Sequence, residues 1–160
     1  GVLITMDLNW SHQLHSMTQK LFDKLQRLEQ SYASPKQTLD ILRTAVIPSI
    51  AYAFPVTPCS QANLEHWDTS VLSTIKKKFG LWSKTCTALL HEDKQNFGLG
   101  YTSMTVEYHY RNAVALTTSL NDKSRHGRIT NLLLRCQTAH LQNIANGLLG
   151  PRCQTPKNLD

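Results

Sequence analysis

The series Trp10, Leu14, Met17, Leu21, Leu25, Leu28, Tyr32 advances by three or four residues at every step. Such spacing puts all seven side chains on one face of an α-helix, whereas on a strand they would scatter over both faces. A face of that length must be covered, and a chain of 160 residues is long enough to build one core around it. Asn9 or Ser11 can cap the start of this helix. The preceding Val2-Leu3-Ile4-Thr5 is β-prone, which predicts a helix leaving the edge of a sheet that lies mostly outside this chain.

Local signals place the remaining elements. Ser34-Pro35-Lys36-Gln37 sets Ser at the N-cap, Pro at the first helical position and Gln where it closes a capping box. The apolar series Leu39, Leu42, Val46 carries that second helix to Pro48, where the missing N–H and the ring force a kink or an end; Ile50, Ala51 and Tyr52 can continue after a bend, and Pro55 and Pro58 make the break. Ser60 caps a third helix with a buried stripe of Leu64, Trp67, Val71, Ile75 and Phe79, terminated by Gly80. A short helical piece over 87–91, a glycine-bearing turn at Asn96-Phe97-Gly98-Leu99-Gly100-Tyr101, a helix over 103–120 closed by Asn121-Asp122, and a last helix over 127–146 follow. The last helix shows Ile129, Leu132, Leu133, Cys136, Leu141 and Ile144 before Gly147, Gly150 and Pro151, and a frayed polar tail is expected from Pro151 onward. The expected fold class is all-α, a bundle of five to six helices with a short β-like segment at its N-terminus, without internal repeat or second domain.

Several function classes fall away. No apolar run approaches the ~18 to 20 residues that cross a bilayer. Cys59, Cys86, Cys136 and Cys153 form no C-x-x-C pair and the seven histidines form no ligand cluster, so no metal site is expected and the cysteines read as reduced and structural. Asp7, Asp23, Glu29, Asp40, Glu65, Asp68 and Glu107 are isolated, and the adjacent Glu92-Asp93 lies in a polar turn, so no carboxylate set for two-metal phosphoryl transfer is visible. Gly98-Leu99-Gly100 lacks the P-loop spacing, and Cys86 with His91 is a chance neighbourhood. No catalytic residue and no cofactor are expected. The start at Gly1, with no basic n-region, reads as the middle of a longer gene or a processed product.

The ordered combination Gly1-Val2-Leu3-Ile4-Thr5 with Asp7-Leu8-Asn9-Trp10, then Val46-Ile47-Pro48-Ser49-Ile50-Ala51-Tyr52, then Trp67-Asp68 with Ile75-Lys76 and Phe79-Gly80-Leu81, then Phe97-Gly98-Leu99-Gly100 with Ser103-Met104 resembles the region that follows the polymerase palm in reverse transcriptases of non-LTR retrotransposons. The resemblance covers residues 1–120. Each motif is degenerate alone; their order and spacing carry the likeness. Two departures stand out: Phe97 occupies the first position of the family's Gly-Gly-Leu-Gly turn, and the Tyr-x-Asp-Asp strand would lie upstream of Gly1. The resemblance implies a thumb-like helical domain over 1–150 with a polar tail over 151–160, which packs against a template–primer duplex and, without a palm, binds but does not polymerise.

Net charge is +6 at pH 7, and the basic residues fall in patches. Lys20, Lys24 and Arg27 form a stripe beside the apolar face of the first helix; Lys76, Lys77, Lys78 and Lys84 form a second patch; Arg125, Arg128 and Arg135 form a third. Lys36 sits at a helix start where backbone N–H groups can also meet phosphate. Such charges grip phosphates without reading bases. A structural reading stands beside this: Asp23 can pair with Arg27 across one turn, and cations at a helix C-terminus gain about 0.3 to 1 kcal/mol each from the dipole. Trp10 and Trp67 lie on apolar stripes and read as core, while Trp82 is a candidate for base stacking. The expected partners are structured RNA or an RNA–DNA duplex, together with a palm-bearing subunit or other proteins of a ribonucleoprotein, in the nucleus or an organelle and not at a membrane. The alternative is a helical protein–protein interaction domain with an incidental basic surface. If the second patch is a site, changing Lys76, Lys77 and Lys78 together to Glu weakens binding without lowering the melting temperature.

Overall fold

The computed structural model describes residues 2–3, 6–7 and 9–149, with the backbone alone at residue 94 and residues 139–149. Helices run over α1 (Ser11–Gln30), α2 (Pro35–Ile41), α3 (Pro48–Ala51), α4 (Gln61–Lys78), α5 (Thr87–His91), α6 (Met104–Asn121) and α7 (Arg125–Leu149), with a π-helical turn at Leu42–Val46 and a 3₁₀ turn at Lys94–Asn96. With α2, the π turn and α3 taken as one interrupted helix, the all-α bundle of five to six helices is present, and no strand occurs among the described residues. Of the expected β-like segment, Gly1, Ile4 and Thr5 lie outside the described residues, and the Leu3 amide is turned to the Gln13 side chain at 2.8 Å. The expected tail over 151–160 and the side chains of Leu141 and Ile144 also lie outside them.

The chain divides into two compact units, 1–113 and 114–160. The first owes its core to three apolar stripes. Met17, Leu21, Leu25 and Leu28 on α1 meet Leu39, Leu42 and Ile50 of the second helical run and Leu64, Trp67, Val71 and Ile75 on α4. Each such side chain removed from water contributes about 1.5–3 kcal/mol. Trp67 is 1% exposed, donates Nε1–H to Thr18 at 3.1 Å and stacks on Phe54 with ring centroids 6.3 Å apart. The α1 stripe stops short of its expected end, because the helix closes at Gln30, Ser31 turns extended, and Tyr32 is left in solvent. Trp10 is half-buried at the N-cap position, and Asn9 Oδ1 accepts from the Ser11 amide at 3.0 Å.

Helix ends follow their local chemistry. Ser34 and Gln37 exchange both bonds of the capping box, and Ser60 Oγ accepts from the Asn63 amide. Beyond α4, Gly80 adopts φ +63°, the Gly80 amide reaches Lys77 O and the Leu81 amide reaches Lys76 O, the two bonds of a Schellman closure. The expected kink at Pro48 takes a specific form. Ile47 N–H bonds to Leu42 O at 2.9 Å, five residues back, so the turn before Pro48 is widened. The extra room accommodates a ring that would otherwise press on the Thr44 carbonyl.

In the second unit, the end of α6 and α7 are joined by a short link in which Asp122 accepts from the Ser124 amide at 2.8 Å. The last helix starts earlier and runs longer than expected, passing through Gly147 to Leu149.

Candidate nucleic-acid interface

Cross-helix bonds fix how α1 and α4 lie. Thr18 meets Trp67, Glu29 meets Thr74 and Ser31 meets Lys78. The paired numbers rise together, so the two helices run parallel and both end at the same end of the first unit.

That end gathers cations that are far apart in sequence. Arg27 is in the last turn of α1, and Lys76, Lys77 and Lys78 are in the last turn of α4. Lys36 borders a cleft of about 550 Å³ with Leu39, Phe79, Gly98 and Leu99, which brings the start of α2 to the same end. Lys84 follows Ser83, whose carbonyl accepts from Lys76 Nζ at 2.8 Å, and its own Nζ lies 5.4 Å from the centre of the Trp82 ring. Six cations therefore gather against the charge of Glu29 and the negative ends of two helix dipoles, with Glu92 and Asp93 packed around the Gly98 that lines the same cleft.

These groups differ in how far they are committed to the fold. Lys77 Nζ bridges both oxygens of Glu29 at 3.1 and 3.0 Å, and Lys78 Nζ donates to Ser31 O at 2.5 Å. Burial pushes the Glu29 carboxyl up, but hydrogen bonds from Lys77 and Thr74 and the charges of Lys77 and Lys78 outweigh it and hold it below the ordinary glutamate range. The lysine triplet thus closes one end of the core. By contrast, Lys20, Lys24 and Arg27 form no hydrogen bond or ion pair among the described residues, and the possible Asp23–Arg27 pair is not made. Lys20 and Arg27 are exposed and Lys24 is half-buried. This stripe starts about 10 Å up the helix from Arg27. Arg125, Arg128 and Arg135 are exposed on α7 of the second unit.

The glycine-bearing turn is held from two sides. Arg43 Nη2 donates to Leu99 O at 2.9 Å and Gly100 O at 2.6 Å. Asp68 Oδ1 accepts from the Tyr101 hydroxyl and from the Met104 amide. Phe97 is 93% exposed at φ +62°, a left-handed conformation suited to glycine. Gly98 is buried, and a Cβ there would overlap the Glu92 backbone. Neither Arg43 nor Asp68 was a candidate in the sequence, since their partners are 56 and 33 residues away.

Three cysteines depart from or refine the expectation. Cys59 is half-buried, its thiol pushed up to about 11 by burial. Cys86 and Cys136 are exposed, so they take no part in a core, because neither lies on a covered helix face. Cys153 lies outside the described residues. Trp67 is core as expected, whereas Trp82 is 70% exposed and accessible for stacking. Among the described residues no group of three or more His, Cys, Asp or Glu could hold a metal ion, and no helix is long and apolar enough to cross a membrane. Comparison with protein families, curated proteins and solved structures finds no match to this chain.

Proposed function

We propose that this chain is a non-catalytic, nucleic-acid-binding helical module, similar to a reverse transcriptase thumb, that holds the phosphate backbone of structured RNA or an RNA–DNA duplex. It serves either within a split or truncated polymerase or as a captured fragment in a ribonucleoprotein of the nucleus or an organelle. One observation carries the reading: Arg27, Lys36, Lys76, Lys77, Lys78 and Lys84 converge on one end of the first unit, continuous with the unpaired stripe of Lys20 and Lys24. A charge excess of that size next to a helix flank raises the local concentration of polyanions and lets several phosphates be neutralised together. The left-handed backbone at Phe97, where the resembled family carries glycine, adds support for the likeness.

A second reading draws on the internal bonds of Lys76, Lys77 and Lys78. In it the cations only close the bundle, and the chain is a protein–protein interaction domain. Titrating an RNA duplex and an RNA–DNA hybrid against the chain at several salt concentrations separates the two. Nucleic-acid binding gives an affinity that falls steeply with salt, with a log–log slope near minus the number of phosphates neutralised. Absence of binding at low salt, or a flat slope, removes the first reading.

A further inference from the structure

In the first half of the last helix, Ile129, Leu132 and Leu133 face outward. On the opposite face, Gly127 is buried where a Cβ would overlap the Asp122 and Ser119 carbonyls, Asn131 Nδ2 donates to Leu120 O at 3.2 Å, and Leu134 is half-buried. Ile129, Leu132 and Leu133 are 47%, 62% and 58% exposed, and Cys136 beside them is exposed too. Over 129–136 these positions follow one heptad, with Ile129 and Cys136 at a, Leu132 at d and Leu133 at e, while Arg128 and Arg135 both fall at g and Arg125 occupies the d position before it. No Asp or Glu occurs anywhere in residues 123–149.

The geometry points to this face as the docking site for an amphipathic helix of a partner protein, one that carries an apolar ridge and places carboxylates opposite Arg128 and Arg135. Charge complementarity selects that occupant. A second copy supplies no carboxylate in either orientation: a parallel one sets Leu133 and His140 at the positions facing Arg128 and Arg135, and an antiparallel one sets the same arginines there. A bilayer surface is best matched by cations on both edges of the apolar stripe, whereas the edge opposite Arg128 and Arg135 carries Thr130 and Gln137. Nucleic acid offers phosphates but no ridge to cover Leu132 and Leu133. In paired helices, g-position charges choose the partner through the e positions facing them. This inference stands apart from the cationic end of the first unit.

The test uses the full chain and two synthetic three-heptad peptides, both with Ile at a and Leu at d, one with Glu and one with Lys at e and g. Fluorescence anisotropy is expected to show the Glu peptide binding at least about tenfold tighter than the Lys peptide. Arg128→Glu combined with Arg135→Glu reverses the preference, and Leu132→Asp abolishes binding. All three residues are exposed, so circular dichroism and melting should be unchanged in the variants. Equal binding of the two peptides, binding of neither, or binding that survives Leu132→Asp overturns the proposal. So does a Leu132→Asp loss of binding to phosphatidylserine-containing vesicles or to an RNA duplex, which gives the face to a membrane or to nucleic acid. A concentration-dependent dimer dissolved by the same change gives it to a second copy.

Discussion

Asp68 and Tyr101 are joined by a 2.9 Å hydrogen bond from the phenol to the carboxylate, and the same oxygen takes the Met104 amide at 2.7 Å. A single side chain on α4 thereby sets both the exit of the glycine-bearing turn and the first residue of α6. Asp68→Ala leaves two donors without that acceptor and should cost about 3 kcal/mol, since bonds to a charged acceptor contribute about 1.5–3 kcal/mol each. Asp68→Asn, which keeps one acceptor oxygen, should cost about half as much. Urea midpoints measure both; a loss under about 1 kcal/mol for Asp68→Ala would show the turn to be held by Arg43 alone.

The same pair predicts alkaline behaviour. Burial, then the Asp68 charge and hydrogen bond, raise the Tyr101 phenol above the ordinary tyrosine value. A raised folded-state value means the contribution is whole below the unfolded pKa and is lost as pH climbs beyond it. Stability should therefore decline above about pH 10. Tyr101→Phe should remove that part of the decline, and an unchanged slope in this variant would exclude Tyr101 as its source.

The turn itself carries a strained residue. Phe97→Gly relieves the left-handed conformation of an L-residue, and because the ring is 93% exposed nothing buried is lost. A gain of about 1 kcal/mol is expected in thermal melts. Gly98→Ala should act oppositely and by more, because its Cβ would overlap fixed backbone at Glu92. Equal, small shifts for both changes would mean that the turn relaxes freely.

Acid should loosen the end where α1 and α4 finish. The Glu29 carboxyl is held below its ordinary 4.5, so its contribution is present above that value and is lost as pH falls through the lower folded-state value. Glu29→Gln should flatten the part of the pH dependence that lies below about pH 4.5. The bonds of Lys77 and Lys78 to Glu29 and Ser31 also reverse one expectation drawn from the sequence: changing Lys76, Lys77 and Lys78 together to Glu should lower the melting temperature, with or without a change in binding.

Lys20, Lys24 and Arg27 give the cleaner probe of nucleic-acid binding. Their joint change to Glu should leave melting unaltered and reduce the salt slope by about 2 to 3, roughly one for each lost phosphate contact. A preserved slope would place binding elsewhere.

Features written into neighbouring residues were legible in the sequence. The capping box at Ser34 and the Gly80 termination of α4 each depend on residues within one turn, and both form. Relations between distant residues were not. Glu29 and Lys77 are 48 positions apart, and nothing in either neighbourhood marks the other. The three basic patches were visible as separate runs, but the parallel course of α1 and α4, which merges two of them, follows from packing. Gln13 is 1% exposed although its type predicts a surface position, because it serves the Leu3 amide. Periodicity found the stripe on α7, yet a pattern shows only that a face exists, and Ile129, Leu132 and Leu133 are exposed.

The π turn at Leu42–Val46 has a consequence for how this chain tolerates length changes. One additional residue in a helix rotates everything after it by about 100° relative to everything before. Thr38 and Leu39 before the turn, and Ile50 and Ala51 after it, are all buried with that offset already absorbed. Deleting a single residue from 42–46 would narrow the turn to α-helical spacing, press the Pro48 ring on the carbonyl four residues back and present Ile50 and Ala51 to the wrong direction. The widened turn is thus a register lock, and the segment should accept substitutions far more readily than it accepts a deletion.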